Sequence, residues 1–306
     1  MRYCQVWLLF FFLSSSVVTG QVNDSTKISN QINSAALIGV SSGGVALYGG
    51  IMLGLSTVWY KDYNQVGFHF TNDNNHWLQI DKFGHAYSSY LFSKVGMEAL
   101  KRTGLGSKKS AIWGGVYGFS FLTTIEIIDA HYSYWGFSTG DVIANAVGPL
   151  LLVGQQMLFD DQHLSFKYSF HPTRFSDLRP GVFGGNMFNQ LVADYNGQTY
   201  WLSLSLGSII PKKKYLPKWL CVSAGYGAYG LLSSEANPTF NNLGNRYPEF
   251  QRTRSYYMSL DIDFDKIKTK SKVLRAIFSF LNLVKVPFPT FEINGNGKAI
   301  FHPLYF

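Results

Sequence analysis

The sequence predicts an α+β protein, with an N-terminal bundle of about four apolar helices followed by a C-terminal antiparallel β-sheet region carrying one amphipathic helix. Three observations carry this expectation. Nearly uncharged runs of helical length, closed by helix caps, fill residues 35–160. Past residue 160 the hydrophobic period becomes two. Late in the chain, a run of lysines leads into apolar residues at helical spacing. Of the 306 residues only 14% are Asp, Glu, Lys or Arg, against about 25% in an ordinary soluble protein. With 19 Tyr, 25 Phe and 7 Trp the chain is too aromatic and too poor in charge for a disordered segment or a coiled coil.

In order along the chain, residues 1–20 read as a secretory signal peptide. Arg2 precedes the apolar run Val6–Leu13, and small residues lead to Gly20. An uncleaved anchor is the alternative. Cys4 leaves with this peptide, so the mature chain keeps only Cys221, which excludes an internal disulfide and a Cys/His zinc site. Residues 21–34 are a polar, turn-rich lead. The expected divisions are then a helical bundle over 35–160 and a β-rich basic domain over 161–306.

From Ile32 to Tyr60 no charged residue occurs in 29 positions, enough to cross a bilayer core that needs about 20. A buried core helix is the rival reading. A second helix is expected from Asp81 to Thr103, ended by Lys101, Arg102 and Gly104. A third runs from Ser107 to about Ala130, and a fourth from Thr139 to about Phe159 behind the capping-box pattern Ser138-Thr139-Gly140-Asp141. Short connections make these neighbours antiparallel.

Beyond residue 160 the leucines of Tyr200–Leu206 share one face and the serines the other, the pattern of a half-buried strand. Residues 220–227 and 256–264 alternate likewise. The aromatic end Ile300–Phe306 looks like a closing barrel strand, but Pro303 is expected to break its ladder, and so few strands are not expected to close a barrel. Lys266, Lys268, Lys270, Lys272 and Arg275 lead into Val273, Ile277, Phe278, Leu281 and Val284. This reads as a basic amphipathic helix, lying on anionic lipid or packed on the sheet. Lys212-Lys213-Lys214 reads as a hairpin loop.

The polar residues that stand among the apolar helices come in pairs three or four apart: Asp81 with His85, Glu126 with Asp129, Asp141 with Asn145. That spacing puts each pair on one helix face, so three helices can present polar groups to one point. Buried ionisable groups persist when they satisfy one another, so these six are expected to touch. Each also has a plainer role. Asp81 and Asp141 can be helix caps, and a histidine bonded to carboxylates inside a bundle is commonly structural. A divalent metal is the further option, with one imidazole and up to three carboxylates suiting zinc, manganese or iron. His131 could add a second imidazole, and His163 and His171 beside Asp160-Asp161 are a weaker metal candidate. No G-x-S-x-G elbow, H-E-x-x-H helix, P-loop or dinucleotide fingerprint occurs.

The combination Asp81-Lys82-x-x-His85, Glu126-x-x-Asp129 and Ser138-x-x-Asp141-x-x-x-Asn145-x-x-Gly148 resembles the YfiM-like family of predicted bacterial periplasmic proteins, and more distantly the VanZ-like membrane family, over about residues 80–150. The resemblance implies a bacterial cell-envelope protein and lends no biochemical activity. Many relatives carry a lipid-acceptor Cys that this chain lacks. The C-terminal region with its Asp194–Trp201 segment extends beyond the short members and resembles longer envelope versions.

Charge is uneven. Up to residue 160 there are 9 basic and 9 acidic residues, and after it 17 and 9, so the whole net +8 lies in the second half. This favours an anionic membrane surface as partner, with other envelope proteins second and no nucleic acid. The function expected is therefore binding or assembly at an envelope membrane, inner or outer, by an exported protein with a structural polar network and no obligatory cofactor. The alternative is an envelope hydrolase or transferase acting on a lipid or cell-wall substrate. His85 would be its acid or base, with Glu126 and Asp129 tuning it or holding a metal and Asn145 orienting the substrate.

Overall fold

The computed structural model describes residues 32–209 and 216–305. The expected signal peptide, most of the polar lead and the Lys212–Lys214 loop lie outside the described residues. Four long helices fill the first half: α1 (Ser34–Gly54), α2 (Ile80–Lys101), α3 (Ser107–Asp129) and α4 (Thr139–Phe159). Asn33 caps α1 by accepting from the Ala36 amide at 3.0 Å, and a π-helical turn over Leu55–Trp59 ends the apolar run.

The tight bundle is a trio rather than a pair of hairpins. α2, α3 and α4 pack mutually, and α1 lies at their edge against Tyr117 and Phe121 through Leu47, Tyr48, Ile51 and Leu55. Glycine sets the closeness of the trio. A Cβ on Gly118 would overlap the Ser89 carbonyl and Ser93, and one on Gly148 would overlap the Ala86 carbonyl and the Tyr90 amide. Gly148 of the sequence pattern is thus the point where α4 meets α2 backbone to backbone.

A parallel two-residue pairing of β1 (Phe70–Thr71) with β2 (Phe137–Ser138) ties the loop before α2 to the entry of α4. That pairing positions the polar site. The second half is one six-stranded antiparallel meander: β3 (Leu164–Phe170), β4 (Gln198–Ser205), β5 (Leu220–Tyr229), β6 (Thr253–Ile262), β7 (Phe288–Asn294) and β8 (Ala299–Tyr305). Short helices α5 (Phe175–Leu178), α6 (Pro180–Phe183), α7 (Met187–Ala193) and α8 (Leu206–Ile209) flank β4, and α9 (Lys272–Leu281) precedes β7. The main apolar cluster joins both halves, since Tyr90, Met97 and Leu152 share it with Phe166, Tyr200 and Tyr226.

Two features of the sheet add to what its sequence pattern gives. Pro303 interrupts the ladder as expected, having no partner on β7, but it does not end the strand. It sits inside β8, the last strand of the sheet, where the register shifts between Phe288 and Thr290, and an edge strand or bulge tolerates a residue that cannot donate. The alternation in β4 to β6 is as expected, but the buried face is the polar one. Ser203, Ser223 and Ser259 are buried, whereas Leu202, Met258 and Leu260 are exposed.

Candidate functional site

The chain enters α2 through a strained turn. Trp77, Leu78 and Gln79 all have left-handed backbone angles, with φ of 49°, 52° and 66°, a conformation costing roughly 1–2 kcal/mol per residue outside glycine. The sheet side of the molecule holds it. The Trp77 amide donates to the Ser234 carbonyl at 2.7 Å, the Tyr226 hydroxyl donates to the Leu78 carbonyl, and Arg254 donates to the Gln79 side chain at 2.7 Å.

The first turns of α2 then present Asp81, Lys82 and His85 to α3 and α4. Lys82 is the hub. Its Nζ lies 2.7 Å from Asp73, 2.8 Å from Asp141 and 3.3 Å from Asp81. Asp73 comes from the loop that β1 ties down, and the Ser138 hydroxyl donates to it at 2.6 Å. His85 Nδ1 lies 3.1 Å from Asn145 Oδ1 and 3.6 Å from Glu126, while its Nε2 lies 3.6 Å from Asp141. The imidazole remains a quarter exposed, with Glu126, Asp141 and Asn145 buried behind it.

Burial, reinforced by Asp141 and Asp73, pushes Asp81 up to about 6 despite Lys82. Burial pulls the Lys82 ammonium down, but Asp81, Asp141 and Asp73 outweigh it and hold the group above its ordinary value. For Asp73, burial is outweighed by the bonds from Lys82 and Ser138, so its carboxyl sits below the usual range.

The convergence read from the sequence is largely present. Asp81, His85, Glu126, Asp141 and Asn145 meet, whereas Asp129 accepts from the Tyr60 hydroxyl at 2.5 Å. Asp81 is not the cap of α2. Gln79 occupies that position, and Asp81 lies in the first turn facing Lys82. Ser138 caps α4 by accepting from the Asp141 amide at 3.1 Å, but the Asp141 carboxylate turns to Lys82 rather than completing a capping box. His131 is exposed and rests edge-on to Phe68, away from the cluster. His163 packs on Phe159 and His171 on Tyr305.

Sequence reasoning passed over Lys82, Asp73 and Tyr60. Lys82 stood inside the quoted motif as the one cation among acids, and that charge balance was its signal. Asp73 sits in an Asn-rich loop with no periodicity to place it.

Among the described residues, two sets of ligand atoms gather within 4.8 Å of one another, His85/Glu126/Asp141 and Asp73/Asp81/Asp141. The second set already surrounds a cation, because Lys82 Nζ contacts all three carboxylates. The first offers one imidazole and two carboxylates, a set that zinc, manganese or iron accepts.

Residues 68–153 match a family described as predicted periplasmic lipoprotein (DUF2279). This is an exported envelope protein, periplasmic or membrane-associated. The matched stretch runs from just before β1 to the second half of α4 and so contains the entire polar cluster except Tyr60. No curated protein and no solved structure matches the chain.

Proposed function

We propose that this protein binds a cell-envelope membrane and serves there in binding or assembly, with the Lys82/His85 cluster holding its helices together. The observation that carries the reading is the state of α9. Val273, Leu274 and Ile277 are exposed, Val273 by 69%, so the apolar face of the helix is not spent on the sheet. Lys268, Lys270 and Arg275 are exposed alongside, and a surface hollow beside the helix is lined by Lys268, Arg275, Phe264 and Ile267. Cations beside open apolar side chains suit a headgroup layer.

Not every expected contact contributes. Lys266 is paired with Asp161 at 2.5 Å, and Phe278 turns inward onto Phe264 with ring centroids 5.8 Å apart. The Lys272 side chain lies outside the described ones. Further support comes from length. The stretch 34–57, α3 and α4 are each long and apolar enough to cross a membrane, and only 6% of the first is buried. The YfiM-like spacing of the polar pairs fits the same reading, as does the more distant VanZ-like one.

Flotation of the purified protein with phosphatidylcholine vesicles, with and without phosphatidylglycerol, tests it. Binding should require the anionic lipid and weaken with salt, each surface Lys or Arg contributing about 1 kcal/mol. A protein that ignores anionic vesicles at both low and physiological salt would falsify the proposal. One observation favours the enzyme alternative, namely that His85 is partly open to solvent with Asp141 facing its Nε2. A His85→Ala variant that folds normally yet loses an activity on an envelope lipid would establish it.

A further inference from the structure

The six-stranded sheet is polar inside and apolar outside. Its concave face buries an ion pair, Lys167 to Asp261 at 2.9 Å, with both side chains fully inaccessible. Ser203 donates to Asp261 at 2.6 Å and meets Ser223 at 2.7 Å, and Lys285 lies over the Trp201 ring at 5.0 Å. The sheet is rolled around this interior. Tyr305 of β8 reaches Thr199 of β4 at 3.1 Å, although three strands separate them in the sheet.

The convex face shows the reverse chemistry. Leu202, Ala224, Met258, Phe291 and Phe301 follow one another across five strands in direct register, and all five are exposed. Flanking them on the same face are Leu260, Tyr256 and Ile293, exposed by 44%, 53% and 57%. None of these eight carries a charge.

We propose that this convex face is a lipid-contacting surface, with the hydrocarbon of the bilayer as its occupant. Three features select lipid over another protein. First, α2 packs on this same face, through Tyr87 on Phe166 and Phe83 on Tyr226, so the apolar bundle and the exposed row lie on one side of the sheet. Second, β5 and β6 are each ten residues long, within the roughly 9–11 that a tilted strand needs to cross the hydrocarbon. Third, apolar side chains outside and paired polar ones inside are the arrangement of strands immersed in lipid, the inverse of a sheet in water. The inference extends the membrane reading above, which places only the helices and α9 at the bilayer.

The test uses nitroxide labels on the full chain with Cys4→Ser. Cys221 can stay, since it is buried. Single cysteines are introduced by Met258→Cys, Phe291→Cys and, as an aqueous control, Leu243→Cys at a loop residue 85% exposed. Each protein is reconstituted into phosphatidylcholine/phosphatidylglycerol vesicles, and collision with oxygen is compared with collision with a water-soluble nickel chelate. Labels at 258 and 291 should collide with oxygen at least several-fold more than with nickel, and the label at 243 should show the opposite. If the protein floats with vesicles but labels at 258 and 291 meet nickel as readily as 243, the sheet inference is overturned and membrane binding stands. Spin–spin broadening with shielding from both reagents would assign the face to a second copy of the chain and also overturn it. Failure to float removes both readings together.

Discussion

Lys82 Nζ lies 2.8 Å from the Asp141 carboxylate, joining the third residue of α2 to the first turn of α4 across the most polar point of an otherwise apolar bundle. The same ammonium contacts Asp73 and Asp81. One cation thus neutralises acids from a loop and two helices, and its loss leaves three buried or half-buried carboxylates facing one another.

Replacement of Lys82 by Met is therefore expected to destabilise the fold by about 3–5 kcal/mol, the usual consequence of removing one partner from a buried charge cluster. Adding Asp141→Asn to Lys82→Met should recover part of that loss, because it removes one stranded charge. Denaturant unfolding of the single and double variants measures the coupling. Equal destabilisation in both would show that Lys82 acts through packing alone.

The pH dependence has a defined sign. Unfolded, Asp81 titrates near its ordinary value of about 3.9. Folded, burial raises it to about 6. Between those values the folded state holds a proton that the unfolded state has released, so this group adds stability as pH falls from 7.5 toward 4.5, on the order of 2–3 kcal/mol. Asp73 is held below the usual range and opposes the trend only in stronger acid. Unfolding measured at pH 7.5, 6 and 5 should show the wild-type chain gaining over Asp81→Asn as the medium acidifies. Parallel curves for the two proteins would refute the assignment.

Much of this was legible from residue spacing, and the misses have physical causes. Pairs three or four apart fix which side chains share a helix face, so the meeting of His85, Glu126 and Asn145 could be read without coordinates. Asp73 could not, because a loop residue is placed by the β1–β2 pairing and not by its own neighbours. Period two located the strands but not which face is buried. Alternation is the same for a sheet in water and a sheet in lipid, and serine-lined faces look solvent-exposed until the Lys167–Asp261 pair is seen inside one. Pro303 interrupts the ladder only locally, because it lies at a bulge in the last strand of the sheet, a position its spacing in the sequence does not reveal.

Close helix approach gives a third prediction. Gly118→Ala and Gly148→Ala each place a methyl into the backbone of α2, and overpacking of this kind costs about 1–3 kcal/mol or more. Gly154 lies on α4 with nothing within 4 Å of an added Cβ, so Gly154→Ala should be neutral or stabilising by roughly 0.5–1 kcal/mol. Thermal unfolding of the three variants separates contact from propensity. A similar loss in all three would mean that helix approach does not depend on these glycines.

The left-handed turn at Trp77–Gln79 couples the sheet to the polar cluster. Its strain is offset by hydrogen bonds that Tyr226 and Arg254 donate and by the one that the Trp77 amide donates to the Ser234 carbonyl, with all three partners outside the helices that carry the cluster. Tyr226→Phe and Arg254→Ala each remove one such bond, worth about 0.5–1.5 kcal/mol, and together they should let the turn relax toward ordinary backbone angles. Asp81 and Lys82 follow that turn directly, so amide hydrogen exchange should accelerate across residues 76–85 in the double variant while α3 and α4 stay protected. Acceleration spread evenly over the whole bundle would instead indicate a general loss of stability, and an unchanged 76–85 segment would mean that the sheet does not hold the turn.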